Sequence, residues 1–96
     1  MIENDIVFRV WKPKHGSGVI ALWPAVAADF KGNCQSYEHN GQHGGADYSG
    51  IIASTRPASP AEYADLLAEL TQIGYRPHII KRASRKHREH REGWTQ

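Results

Sequence analysis

The sequence predicts an α+β domain: a four- to five-stranded, mostly antiparallel mixed sheet in the order β-β-β-β-α-β, with one helix packed on one face and a basic C-terminal tail. Three observations carry this. Two runs rich in β-branched and aromatic residues, Ile6–Trp11 and Val19–Trp23, are separated by a glycine-containing stretch that fits a reversal. Between Ser59 and Ile73, apolar residues recur at helical spacing between a cap and a glycine stop. Finally, residues 81–96 hold six Lys or Arg against two Asp or Glu, whereas residues 1–80 hold six against eight, so a basic end follows a slightly acidic body.

The first strand places Ile6, Phe8 and Val10 on one face and stops at Lys12-Pro13. Lys14 to Gly18 forms the turn, and Val19–Trp23 returns antiparallel until Pro24 ends it. Ala25 to Gly32 is a connector. Asn33 to Asn40 reads as a polar third strand, and Tyr48 to Thr55 as a fourth that carries Ile51 and Ile52 into the core. The helix is the clearest local signal. Ser59 stands at the N-cap, Pro60 at the first helical position and Glu62 three residues after the serine. Tyr63, Leu66, Leu67 and Leu70 form its buried stripe, Glu62, Asp65 and Glu69 lie elsewhere on its surface, and Gly74 ends it. Arg76 to Lys81 is a last strand, expected to run parallel to the fourth through a right-handed crossover.

Ninety-six residues suit one domain, taken as 1–82, with 83–96 a basic tail that is flexible or a short helix. The single cysteine, Cys34, cannot close an internal disulfide, so a reduced, cytoplasmic setting is expected. The acidic start resembles no secretory leader, and no apolar run nears the roughly 20 residues of a membrane span, so no membrane association is expected.

Residues 34–48 gather chemistry in a glycine-rich reversal. His39, His43 and Asp47 could converge because Gly41, Gly44 and Gly45 let the chain fold back, and two imidazoles with a carboxylate suit zinc or another transition metal. The structural alternative has His39 and His43 bonded across the turn, Gln42 paired with backbone, Asp47 capping, and Tyr37 and Tyr48 covering. Cys34 with either histidine as a nucleophile pair, or Glu38 with Asp47 as an acid and base, are further options. No phosphate-binding glycine loop or nucleophile elbow occurs, so the balance leans away from an enzyme.

In the tail, Lys81, Arg82, Arg85, Lys86, Arg88 and Arg91 can neutralise phosphates, and His87 and His90 add charge as pH falls toward 6. The alternative is a solvated helix from Ser84 with Arg85–Glu89 and Arg88–Glu92 pairs. Trp11 and Trp23 either pack together across the hairpin or present a partner-binding surface, and Trp94 is placed to meet a partner or second subunit.

The segments Ile20-Ala21-Leu22-Trp23-Pro24, Cys34-Gln35-Ser36-Tyr37-Glu38-His39, Gly41-Gln42-His43-Gly44, Ala46-Asp47-Tyr48, Arg56-Pro57 and Glu62-Tyr63-Ala64-Asp65-Leu66 resemble a group of short uncharacterised bacterial proteins associated with phages and integrated mobile elements. The resemblance implies a compact accessory protein of bacterial or phage origin. With the basic end, it leads to the expectation of a module that engages nucleic acid or a ribonucleoprotein. The alternatives are a metal-binding protein and a regulator or inhibitor of a host protein.

Overall fold

The structure, a computed structural model, describes residues 2–39 and 42–93, without the side chains of Gln42 and His43. After a short turn at Ile2–Asn4 come β1 (Asp5–Trp11), β2 (Val19–Ala27), β3 (Cys34–Glu38), β4 (Gln42–Ala46), α1 (Tyr48–Ser54), β5 (Thr55–Pro57), α2 (Pro60–Ile73), β6 (His78–Ile80) and α3 (Arg85–Gly93). The α+β class and the mixed sheet are as the sequence predicts. Strand order is β4-β3-β2-β1-β5, with β6 also on β1.

β1 is the axis of the sheet because its alternation supplies apolar side chains to both faces. Ile6 and Phe8 join Ala21, Trp23, Tyr37, Leu66 and Leu70 beneath α2, whereas Val7 joins Ile20, Leu22, Cys34 and Ala46 on the opposite face. The hairpin with β2 is antiparallel, with Val7 opposite Leu22 and Val10 opposite Val19. Along its other edge β1 takes two short partners end to end: Arg9 to Trp11 pair antiparallel with β5, and Asp5 to Val7 pair parallel with β6. The parallel pair is thus β1 with β6, and the expected crossover between parallel strands flanking α2 is corrected, since β5 and β6 run oppositely along that edge.

Two further boundaries differ from the sequence reading. β2 continues through Pro24 to Ala27, and the register against β3 slips between Trp23 and Ala27, which is the irregularity that lets a strand hold proline. The expected fourth strand over Tyr48 to Thr55 is a helix as far as Ser54, and Thr55 opens β5. Tyr48, Ile51 and Ile52 stand at i, i+3 and i+4, one helical face, and all three pack on the Val7–Leu22 cluster. The fourth strand is instead the glycine-rich segment itself, where Gly45 lies so close to the Ala28–Asn33 connection that a Cβ would stand 3.1 Å from Asp29 Oδ2.

α2 forms as read. Ser59 and Glu62 make both bonds of the capping box, and Gly74 closes the helix in the left-handed region at φ 119°. Leu66 and Leu70 are buried, each side chain contributing about 1.5–3 kcal/mol by leaving water. No helix among the described residues is long and apolar enough to cross a membrane.

Candidate nucleic-acid interface

Of the two forms open to the basic tail, the structure has the helix, and it is docked against the sheet on the face opposite α2, over β2. Its sequence Arg-Lys-His-Arg-Glu-His-Arg-Glu-Gly has no apolar side chain, so hydrophobic burial cannot hold it. Polar side chains do. His87 and Arg91, four residues apart and therefore on one face, are both buried. Arg91 Nη1 donates to the Pro24 carbonyl at 2.7 Å, filling an acceptor in the stretch where β2 slips out of register with β3. His87 Nε2 lies 2.8 Å from Asp5 Oδ2, and His78 Nδ1 lies 2.7 Å from the other carboxylate oxygen. Burial pushes the Asp5 carboxyl up, but its hydrogen bonds with His78 and His87 outweigh this and leave its pKa below the ordinary value.

Ser84, His87 and Asp5 form a hydrogen-bonded chain with the residue types of a hydrolytic triad, yet the geometry is that of a helix cap. The Ser84 backbone N–H can only donate, and it donates to His87 Nδ1 at 2.9 Å. Nδ1 is therefore the acceptor and Nε2 carries the proton toward Asp5. Ser84 Oγ, also 2.9 Å from Nδ1, competes for a lone pair already in use. The imidazole fills the role that glutamate has in an ordinary capping box. Tyr48 completes the junction by accepting the Ala83 N–H at 2.9 Å, which ties α1 to the start of α3.

With His87 and Arg91 turned inward, Lys81, Arg82, Arg85, Lys86 and Arg88 are left exposed. Arg85 pairs with Glu89 at 2.9 Å and Arg88 with Glu92 at 3.8 Å, as the i,i+4 spacing predicts. Such exposed pairs are worth about 0–1 kcal/mol, so they hold neither arginine firmly. Arg91 is the correction: set among the phosphate-facing cations by sequence, it is 8 % exposed because its head is committed to Pro24. Beside the helix start lies a cleft of about 320 Å³ lined by Tyr48, Ser49, Ser84, Arg85, Arg88 and Arg91. Across the sheet, α2 carries Glu62, Asp65 and Glu69 and no Lys or Arg of its own, with Glu62 paired to Arg56.

The metal constellation does not assemble. His39 is exposed and its Nδ1 meets Glu69 at 3.1 Å, on the α2 side, whereas Asp47 follows Ala46, which pairs with Cys34 at the far end of the hairpin. Five strand residues, about 17 Å, separate His39 from Cys34. The His43 side chain lies outside the described residues, and among those described no group of three or more His, Cys, Asp or Glu could hold a metal ion.

The other residues of the polar turn also part company. Cys34 is fully buried against Val7 and Leu22, and burial pushes its thiol up to about 11. Set in the core rather than in an open turn, it should resist a thiol-reactive reagent in the native protein and label rapidly in urea. Fast native labelling would contradict this burial. Tyr37 is buried in the α2-side core, Glu38 is half-buried at the end of β3 opposite Gln42, and the Gln42 side chain lies outside the description. Trp11 and Trp23 do not pack together across the hairpin: Trp23 is buried on the α2 side, its ring centroid 5.0 Å from that of Tyr75, while Trp11 packs against the opposite cluster. That burial takes Trp23 out of the partner-binding set. Trp94 lies outside the described residues.

Sequence reasoning missed Asp5, His78 and Arg9. Arg9 is buried and donates to Thr55 Oγ1 at 2.9 Å and the Thr55 carbonyl at 2.9 Å, holding β5 to the core strand. A charged residue inside an otherwise apolar strand was the available signal. No family model, curated protein or solved structure matches the chain, so what it does must be argued from this geometry.

Proposed function

We propose that this chain is a small accessory protein that holds nucleic acid, alone or within a ribonucleoprotein, against the outer face of α3. One observation supports the reading above all: α3 spends His87 and Arg91 on docking and thereby carries Arg85, Lys86 and Arg88 exposed on an ordered helix, with Lys81 and Arg82 exposed in the segment that leads into it. Cations held on a docked helix lose less freedom on meeting phosphates than cations on a loose tail. α2, on the opposite face, adds no Lys or Arg to compete for the same polyanion. A bacterial or phage setting is part of the proposal and rests on the sequence resemblance.

The test is fluorescence anisotropy with short single- and double-stranded oligonucleotides over a salt series. Removing residues 82–96 would strip the sheet of its cover, so substitutions are the better instrument. In Arg85→Ala/Lys86→Ala/Arg88→Ala, the slope of log affinity against log salt should flatten by about 0.7–0.9 for each phosphate no longer neutralised, with little change in melting temperature because the pairs lost are exposed. An unchanged slope and affinity in the triple variant would reject α3 as the binding face.

A further inference from the structure

We infer that the cleft between the starts of α1 and α3 is a phosphate-binding pocket, seating a terminal phosphate group through Arg85, Arg88, Ser84 and Ser49. The inference rests on the nucleic-acid reading only for the source of the phosphate. Its walls are otherwise chosen for an anion. Two guanidinium groups three residues apart on α3 and two serine hydroxyls line one cleft, whose lining includes no carboxylate. Arginine matches phosphate because its planar fork donates two parallel hydrogen bonds. The nine-residue α3 begins here, adding the positive end of its dipole.

The independent sign is Arg91, which lines the same cleft and is 8 % exposed. Its described partner is a neutral carbonyl, it makes no ion pair among the described residues, and its Nε is buried without a hydrogen bond there. A buried charge left uncompensated is costly. An anion in the cleft that Arg91 lines would compensate it. Glu89 and Glu92 hold Arg85 and Arg88 only loosely, and a doubly charged terminal phosphate is the stronger competitor for both. A terminal group is preferred over an internal diester because it brings more charge and enters a cleft without threading a strand.

Two measurements separate this pocket from the wider surface. The first compares 5′-phosphorylated and 5′-hydroxyl oligonucleotides by anisotropy, with Arg88→Ala as the pocket variant and Lys86→Ala as the surface control. Arg88 is 61 % exposed, so its loss should leave the fold intact. The protein should favour the phosphorylated strand about ten-fold, the worth of one charge-assisted hydrogen bond. R88A should abolish the preference, while K86A weakens both strands and retains it. The second follows melting temperature against inorganic phosphate at constant ionic strength, where phosphate should stabilise the parent protein and not R88A. Oligonucleotide binding with no preference for the phosphate end, and no phosphate-dependent stabilisation, would overturn the pocket while leaving the nucleic-acid reading intact. Phosphate-dependent stabilisation lost in R88A, with no oligonucleotide binding at all, would uphold the pocket and end the nucleic-acid reading.

Discussion

Leu70→Ala should lower stability by about 2–5 kcal/mol, the largest effect expected of any single truncation discussed for this fold. Leu70 is 0 % exposed and sits where the last turn of α2 meets the sheet, within the cluster formed by Ile6, Phe8, Ala21, Trp23 and Tyr37. Those neighbours belong to three different strands and cannot all close on the void. Its backbone carbonyl also receives the Gly74 and Tyr75 N–H groups, at 3.2 and 3.1 Å, so the side chain anchors the same residue that terminates the helix. Urea unfolding followed by circular dichroism measures the effect. The midpoint should fall with the slope unchanged, and a loss below about 1 kcal/mol would mean that α2 does not pack as described.

Asp5→Ala should cost about 1–3 kcal/mol by a different route, because it leaves the buried Nε2–H of His87 without its acceptor and frees His78 as well. Asp5→Asn keeps an acceptor and should cost less. The effect depends on pH in a definite direction. Since the native carboxyl has a depressed pKa, its contribution is fully present above the unfolded value of about 3.9 and is lost as pH falls through the lower native one. Urea midpoints should therefore separate parent and D5A at pH 7 and pH 5 and draw together below pH 4. Hydrogen exchange should show α3 amides loosened first in the variant. Equal exchange along α3 in both proteins would remove Asp5 from the docking scheme.

What could be read from residues alone follows a physical rule. α2 was legible because its determinants are local: a serine cap, a proline, a glutamate three residues on and a glycine stop all act within a turn of the helix they define. The β1–β2 hairpin was legible for the same reason. The stretch from Tyr48 to Ser54 was not, because Ile51-Ile52 favours a strand by propensity, and only burial against Val7 and Leu22, far away in sequence, selects the helix. In the interface, the exposed cations were visible as composition. Which basic residues turn inward was not, since Arg91 answers a carbonyl at Pro24 and His87 a carboxylate at Asp5, separated from them by 67 and 82 positions. The metal triad fails on register: residues near one another in sequence need not meet in space, and the hairpin holds its ends apart.

The pairing of β1 with two late segments sets the order in which the molecule can be built. Asp5 to Trp11 precedes its partners in the chain, for the outer border of this strand is filled only by Thr55–Pro57 and His78–Ile80, and Asp5 itself waits for His87. A chain that has made its β1–β2 hairpin still presents an unclosed flank until β5 and β6 have been added. Completion is therefore a long-range event, and truncated chains that end before His78–Ile80 should be the ones that need a chaperone.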